Sequence, residues 1–276
     1  MRFRHWALAL AVTVPLVGSG MALARGDKSR PKEAPANFGT LKAVSLDDAH
    51  RQALDWVKSS GKLRPDTLKH VEALWAHGDR GVLDLVASTL TLVDDQAAKL
   101  LKEARDPASP APTEVPALLK DAKRTSFFRA NLALAYAKAL SNRRVYEETL
   151  TVLKTVKPEE VVDPAAYFFC RAVAEHALLL KADAERSIVG LMEDVNDAPD
   201  RYRLVGVLML YDMQSWRNKD LGEIARKMDN IERRLDLARG GPQTQKIQKE
   251  VVARLDELIK KLENQANGSS QANGGS

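Results

Sequence analysis

The stretch YFFCRAVAEHALLLKADAERSIVGL, residues 167–191, decides the fold. Its apolar residues recur at helical rather than alternating spacing, and no proline interrupts them. Phe168, Phe169, Val173 and Ala174 fall around more than one face of a helix. A helix apolar on several faces is one enclosed by neighbours. A second helical segment, Ala184 to Val195, follows at once, so the two together predict a helical hairpin.

The same arrangement extends outward on both sides. Phe128, Leu132, Ala135, Tyr136, Ala139 and Leu140 mark an earlier helix, and Tyr146, Leu150 and Leu153 its partner. A third pair opens after Asp197-Ala198-Pro199, and Val207 and Leu210 on its first helix again point to a central position. An offset of 38 residues superposes Leu140 on Leu178, Thr149 on Ser187, Leu150 on Ile188 and Leu153 on Leu191. Within the second copy Phe168, Ala172, Ala184, Ile188 and Leu191 stand at spacings of 4, 12, 4 and 3.

That spacing resembles the tetratricopeptide repeat, in which small residues sit where the two helices of a hairpin cross. The resemblance spans Ser126 to Leu237, with departures: Leu134 and Tyr146 stand where small residues are usual, and Glu175 where a large apolar one is. The 38-residue offset also exceeds the family period of about 34. The resemblance implies antiparallel hairpins stacked into an array, which creates an extended surface for another polypeptide.

The remaining segments fit an all-α chain. Ser45 and the acids Asp47 and Asp48 open a helix that Gly61 stops, Pro65-Asp66 opens the next, and Val82 to Leu92 and Asp95 to Ala104 read as two more. Pro107, Pro110, Pro112 and Pro116 bar a helix across 106–116. This stretch is the expected linker between an N-terminal helical part, 39–105, and the repeats, 117–238. Leu221, Ile224, Met228, Ile231, Leu235 and Ala238 then form a heptad stripe. Gly240-Gly241-Pro242 turns the chain into a last helix, 242–264, with Val251, Leu255, Leu258 and Leu262. The two stripes predict a C-terminal hairpin that caps the array, with a coiled-coil homodimer as the alternative.

The ends have a different character. Arg2 and Arg4 precede the uncharged run from Trp6 to Val17, and Ala22-Leu23-Ala24 follows, the pattern of a secretory signal over residues 1–24. The mature chain is then expected to begin at Arg25, outside the cytoplasmic membrane, with a flexible leader over 25–38. Residues 265–276 contain only Gln, Ala, Asn, Gly and Ser, and are expected to be disordered.

Composition and motifs argue against most chemistry. The net charge of +5 falls to +3 once Arg2 and Arg4 leave with the signal, too small and too evenly spread for nucleic acid. One cysteine, Cys170, excludes an internal disulfide and reads as core. His50, His70, His77 and His176 contain no helical pair at metal-binding spacing. Ser59-Ser60-Gly61-Lys62 has the Ser-x-x-Lys spacing of penicillin-recognising enzymes, without their companion motifs. Asp47-Asp48, Asp94-Asp95, Glu147-Glu148 and Glu159-Glu160 are sequence neighbours that diverge on a helix, so they read as solvated or helix-start charges. No catalytic, cofactor-binding or metal residue is assigned. The expectation is a non-enzymatic exported scaffold that binds a protein or peptide, with no stable membrane span. A self-associating structural protein is the alternative, and an enzyme with a site between helices a third.

Overall fold

The computed structural model describes residues 39–61, 65–76 and 80–272, with side chains to 266. The expected signal segment and leader lie outside the described residues. So do Lys62, His77 and residues 273–276. The described residues form an all-α fold of twelve helices: α1 (Leu46–Ser59), α2 (Pro65–Ala76), α3 (Val82–Val93), α4 (Asp95–Arg105), α5 (Ala117–Lys120), α6 (Ser126–Asn142), α7 (Tyr146–Leu153), α8 (Pro164–Ala177), α9 (Lys181–Val189), α10 (Asp200–Ser215), α11 (Leu221–Asp236) and α12 (Pro242–Ala272). The starts follow local chemistry. Ser45, Asp94, Thr125, Asp163 and Asp220 each accept a hydrogen bond from a backbone N–H in the first turn of the helix that follows. Gly61, at φ +68°, ends the first of them as expected.

Consecutive helices pack as hairpins, α6 on α7 and α8 on α9, with α7 also against α8. The two hairpin turns are the same structure. Arg144 and Leu179 both take φ 62°. Val145 N–H donates to the Leu140 carbonyl and Leu180 N–H to that of Glu175, each at 2.9 Å. The backbone register from residue 144 to 179 is therefore 35, not the offset of 38 read from side chains. In this register Ala137 and Thr149 of the first hairpin match Ala172 and Ala184 of the second, and all four are buried. Small residues thus do occupy the helix crossings; Leu134 and Tyr146 are not at those positions. Glu175 is buried as well, and is matched by Arg171 Nε at 2.9 Å and the Ser187 hydroxyl at 2.5 Å. A charge is tolerated there because both oxygens have donors.

Ala172 has no exposed surface and sits among Ala184, Ile188, Met209 and Met213. Ala172→Leu is expected to lower stability by about 1–3 kcal/mol through overpacking. Urea denaturation checks this, and an unchanged midpoint would mean that the helices do not meet at this residue.

The Pro-rich stretch is not a boundary between separate parts. One core runs from Ala49 and Trp56 through Val86, Leu101, Phe128 and Leu134 to Tyr167 and Tyr202, so both sides of the stretch share it. Ala111 and Val115 pack against that core. Arg143 donates to the carbonyl of Ser109, and Arg239 to that of Pro112. Proline prevents a helix here, but its carbonyls remain good acceptors.

The chain's first described residues run alongside the loops where the hairpins open. Leu41 forms an isolated parallel bridge with Val195, Val44 N–H donates to Val162 O at 2.9 Å, and Ala43 N–H reaches the Asp197 carboxylate at 3.1 Å. Asn131, fully buried, holds the same region: its Oδ1 accepts from Val162 N–H at 2.8 Å. At the far end of the chain, α12 continues to Ala272, so residues 265–272 are helical rather than disordered. A helix already under way adds each residue with one backbone hydrogen bond and needs no apolar surface to do so.

Candidate interaction surface

The C-terminal hairpin takes an unexpected position. Helix α11 does pair with α12, with Ile224 and Val251 buried between them. The hairpin is not stacked as a cap on α10; it is fastened across the hairpin turns by arginines. Arg233 donates to both oxygens of Glu147, at 2.8 and 2.9 Å, and to the Arg144 carbonyl at 2.9 Å. Arg234 also binds Glu147, and Arg239 binds Glu148 at 2.9 Å. Arg233 is 2% exposed and Arg234 7%. Burial alone would raise the Glu147 carboxyl. The Arg233 hydrogen bonds and the charges of Arg233 and Arg234 outweigh it and hold that carboxyl below the ordinary 4.5. Glu147-Glu148 is therefore an anchor rather than a solvated pair of charges.

This anchoring leaves α10 as an outer helix, not the central one its composition suggested. Its inner face, Tyr202, Gly206, Met209 and Met213, steps by 4, 3 and 4 residues and is buried. Gly206 eases that approach, since a Cβ there would stand 3.2 Å from the Ile188 and Met192 side chains, closer than ordinary contact. The outer face is open: Leu204 is 62% exposed, Val207 52%, Leu208 57% and Tyr211 76%. Four large apolar side chains on one face of one helix form a contiguous patch, the kind that marks an interaction site.

Next to the C-terminal end of α10 lies a polar cleft of about 320 Å³ between the hairpin turns and α11. His176 Nε2 and Trp216 Nε1 both lie 2.9 Å from Asp212 Oδ2, and Arg226 stacks on Trp216. Tyr146 stacks under Arg233 on its other wall. His176, Trp216, Arg226 and Arg233 each engage other protein groups here, so the cleft fastens α10 and α11 to the turns.

The other residues singled out in sequence are spread apart. His50 stacks on Trp75 and faces Glu72 at 3.5 Å, while His70 Nδ1 lies 2.6 Å from the Asp66 carbonyl in its own helix. Among the described residues no three His, Cys, Asp or Glu side chains group to hold a metal ion. Cys170 is buried, and burial pushes its thiol up to about 12, so it behaves as a core residue. Ser59 and Ser60 donate back to the Trp56 and Val57 carbonyls at the end of α1. No helix among the described residues is long and apolar enough to cross a membrane. Compared with protein-family models, curated proteins and solved structures, the chain matches none.

Proposed function

We propose that this chain is an exported, non-enzymatic helical scaffold whose outer helix α10 receives an amphipathic helix of another polypeptide. The open face of Leu204, Val207, Leu208 and Tyr211 carries the proposal. Its spacing of 3, 1 and 3 residues is that of a helix contact, and it lies where a further helix of the array would stack. The tetratricopeptide-like reading is supported by the 35-residue register and by the small residues Ala137, Thr149, Ala172 and Ala184 at the crossings. Export rests on the basic start, the apolar run and Ala22-Leu23-Ala24.

A photo-crosslinking residue in place of Tyr211, expressed in the exporting cell, tests the proposal. The expected result is an adduct with a different polypeptide that disappears when Leu208→Asp is added. No adduct above that of a crosslinker at Lys246 would overturn it. An adduct at twice the chain's own mass would favour self-association instead. That second reading has its own observation: Val252, Leu255, Ile259 and Leu262 form an exposed stripe on α12.

A further inference from the structure

A groove of about 910 Å³ opens between α2, α3 and α4, away from both α10 and the C-terminal hairpin. Its walls are Ala73 and Leu74 from the first helix, Leu92 from the second, and Ala98 and Leu101 from the third. The volume falls within the roughly 300–1,000 Å³ of small-molecule sites, which are mostly apolar with a few placed polar groups. Of the polar groups on the lining, His70 lies against the Asp66 carbonyl and Thr91 donates to the Ser88 carbonyl, both within their own helices, and the charged ones lie at one end. Lys102 and Arg105, both exposed, line the groove toward the C-terminal end of α4, and among the described residues neither is paired with a carboxylate. The one acid beside them, Asp106, is turned into its own loop, where it accepts from Ala108 N–H at 2.9 Å and the Ser109 hydroxyl at 3.1 Å.

An open apolar groove that ends in two cations without a carboxylate partner among the described residues is complementary to a molecule with a long apolar body and a single anionic end. We propose that this groove binds a single-chain amphiphile with a carboxylate head, a long-chain fatty acid. Its tail lies along Ala73, Leu74, Leu92 and Ala98 over the buried Leu101, and its carboxylate meets Lys102 and Arg105. Arg105 offers the planar fork that matches a carboxylate, and Lys102 adds a point charge. The apolar walls supply the greater part of the binding, because tail burial grows with every methylene. The site is independent of the α10 surface and stands or falls separately.

Titration of the full-length chain with oleate, and with oleylamine as a probe of equal tail and opposite charge, tests the assignment. Oleate is expected to bind saturably at one per chain, and oleylamine at least tenfold more weakly. Lys102→Glu with Arg105→Glu changes exposed side chains only, and is expected to reverse that order. Ala98→Trp fills the groove while keeping both cations in the chain, and is expected to abolish binding of both probes. Oleate that fails to saturate, or that binds the double variant as tightly as the parent, would overturn the proposal. Preference for an acidic amphipathic peptide over oleate would do the same and would make the groove a protein site.

Discussion

Replacing Glu147 with alanine is expected to cost about 3–5 kcal/mol, because it strands buried arginines without their shared carboxylate. Of its hydrogen bonds Arg233 would keep those to the Arg144 carbonyl and Asn230 Oδ1, and Arg234 those to Thr244 and Gln243. For a fold of this size the loss corresponds to a fall in Tm on the order of 10 °C. The effect also has a pH signature. The folded-state carboxyl lies below its ordinary 4.5, so its contribution is fully present above the unfolded value and disappears as pH falls through the folded one. Glu147→Gln keeps hydrogen-bonding atoms but no charge. Its deficit against the parent should therefore be largest near neutrality and shrink below pH 4.5. Urea denaturation at pH 7 and at pH 3 measures both. A parent and variant of equal stability at pH 7 would show that the arginines do not depend on this acid.

Deleting everything after Gly241 is expected to be the next largest effect. The cut removes the Thr244 hydroxyl that Arg234 Nε meets at 2.8 Å, and Glu250, which holds Lys227 at 3.1 Å. Leaving Arg234 short of acceptors costs roughly 1–3 kcal/mol. Uncovering Ile224 adds about 2 kcal/mol. The truncated chain should melt lower and associate through the bared face of α11. Light scattering with a thermal melt distinguishes the outcomes. A truncated monomer with an unchanged Tm, beside a full-length chain that sediments as a dimer, would move the role of α12 from covering α11 to joining two copies.

Short-range chemistry made much of this fold legible. Ser45, Gly61, Pro65 and Asp94 act within a turn of where they stand, and the α11 stripe announces a partner helix through its own period. What could not be read lies far apart in the chain or in backbone angles. Arg233 and Glu147 are 86 residues apart, and each alone looks like an ordinary surface charge. The repeat register was misplaced because Arg144 and Leu179 take the left-handed conformation without a glycine to flag it. Likewise α11 ends at Asp236 with Ala238 left-handed, ahead of the Gly240-Gly241 pair that seemed to mark the turn. The open face of α10 is invisible in sequence for a simpler reason. An apolar stripe has the same letters whether a neighbour covers it or not.

The first and last parts of the described chain are both fastened to its middle. Leu41 to Val44 lies along the loops at Val162 and Val195, with Ala43 and Asp197 154 residues apart, and Arg233 crosses back to the turn at Arg144. In an open solenoid each unit touches only its neighbours, and folding can start anywhere and spread. This molecule is closed by clasps, and each must wait for a distant stretch to arrive. As the chain emerges, Leu41 has no mate until Val195 follows, and Glu147 stays uncompensated until Arg233 does. The hairpins can form early and locally, but the last arginines decide when the whole becomes one cooperative unit.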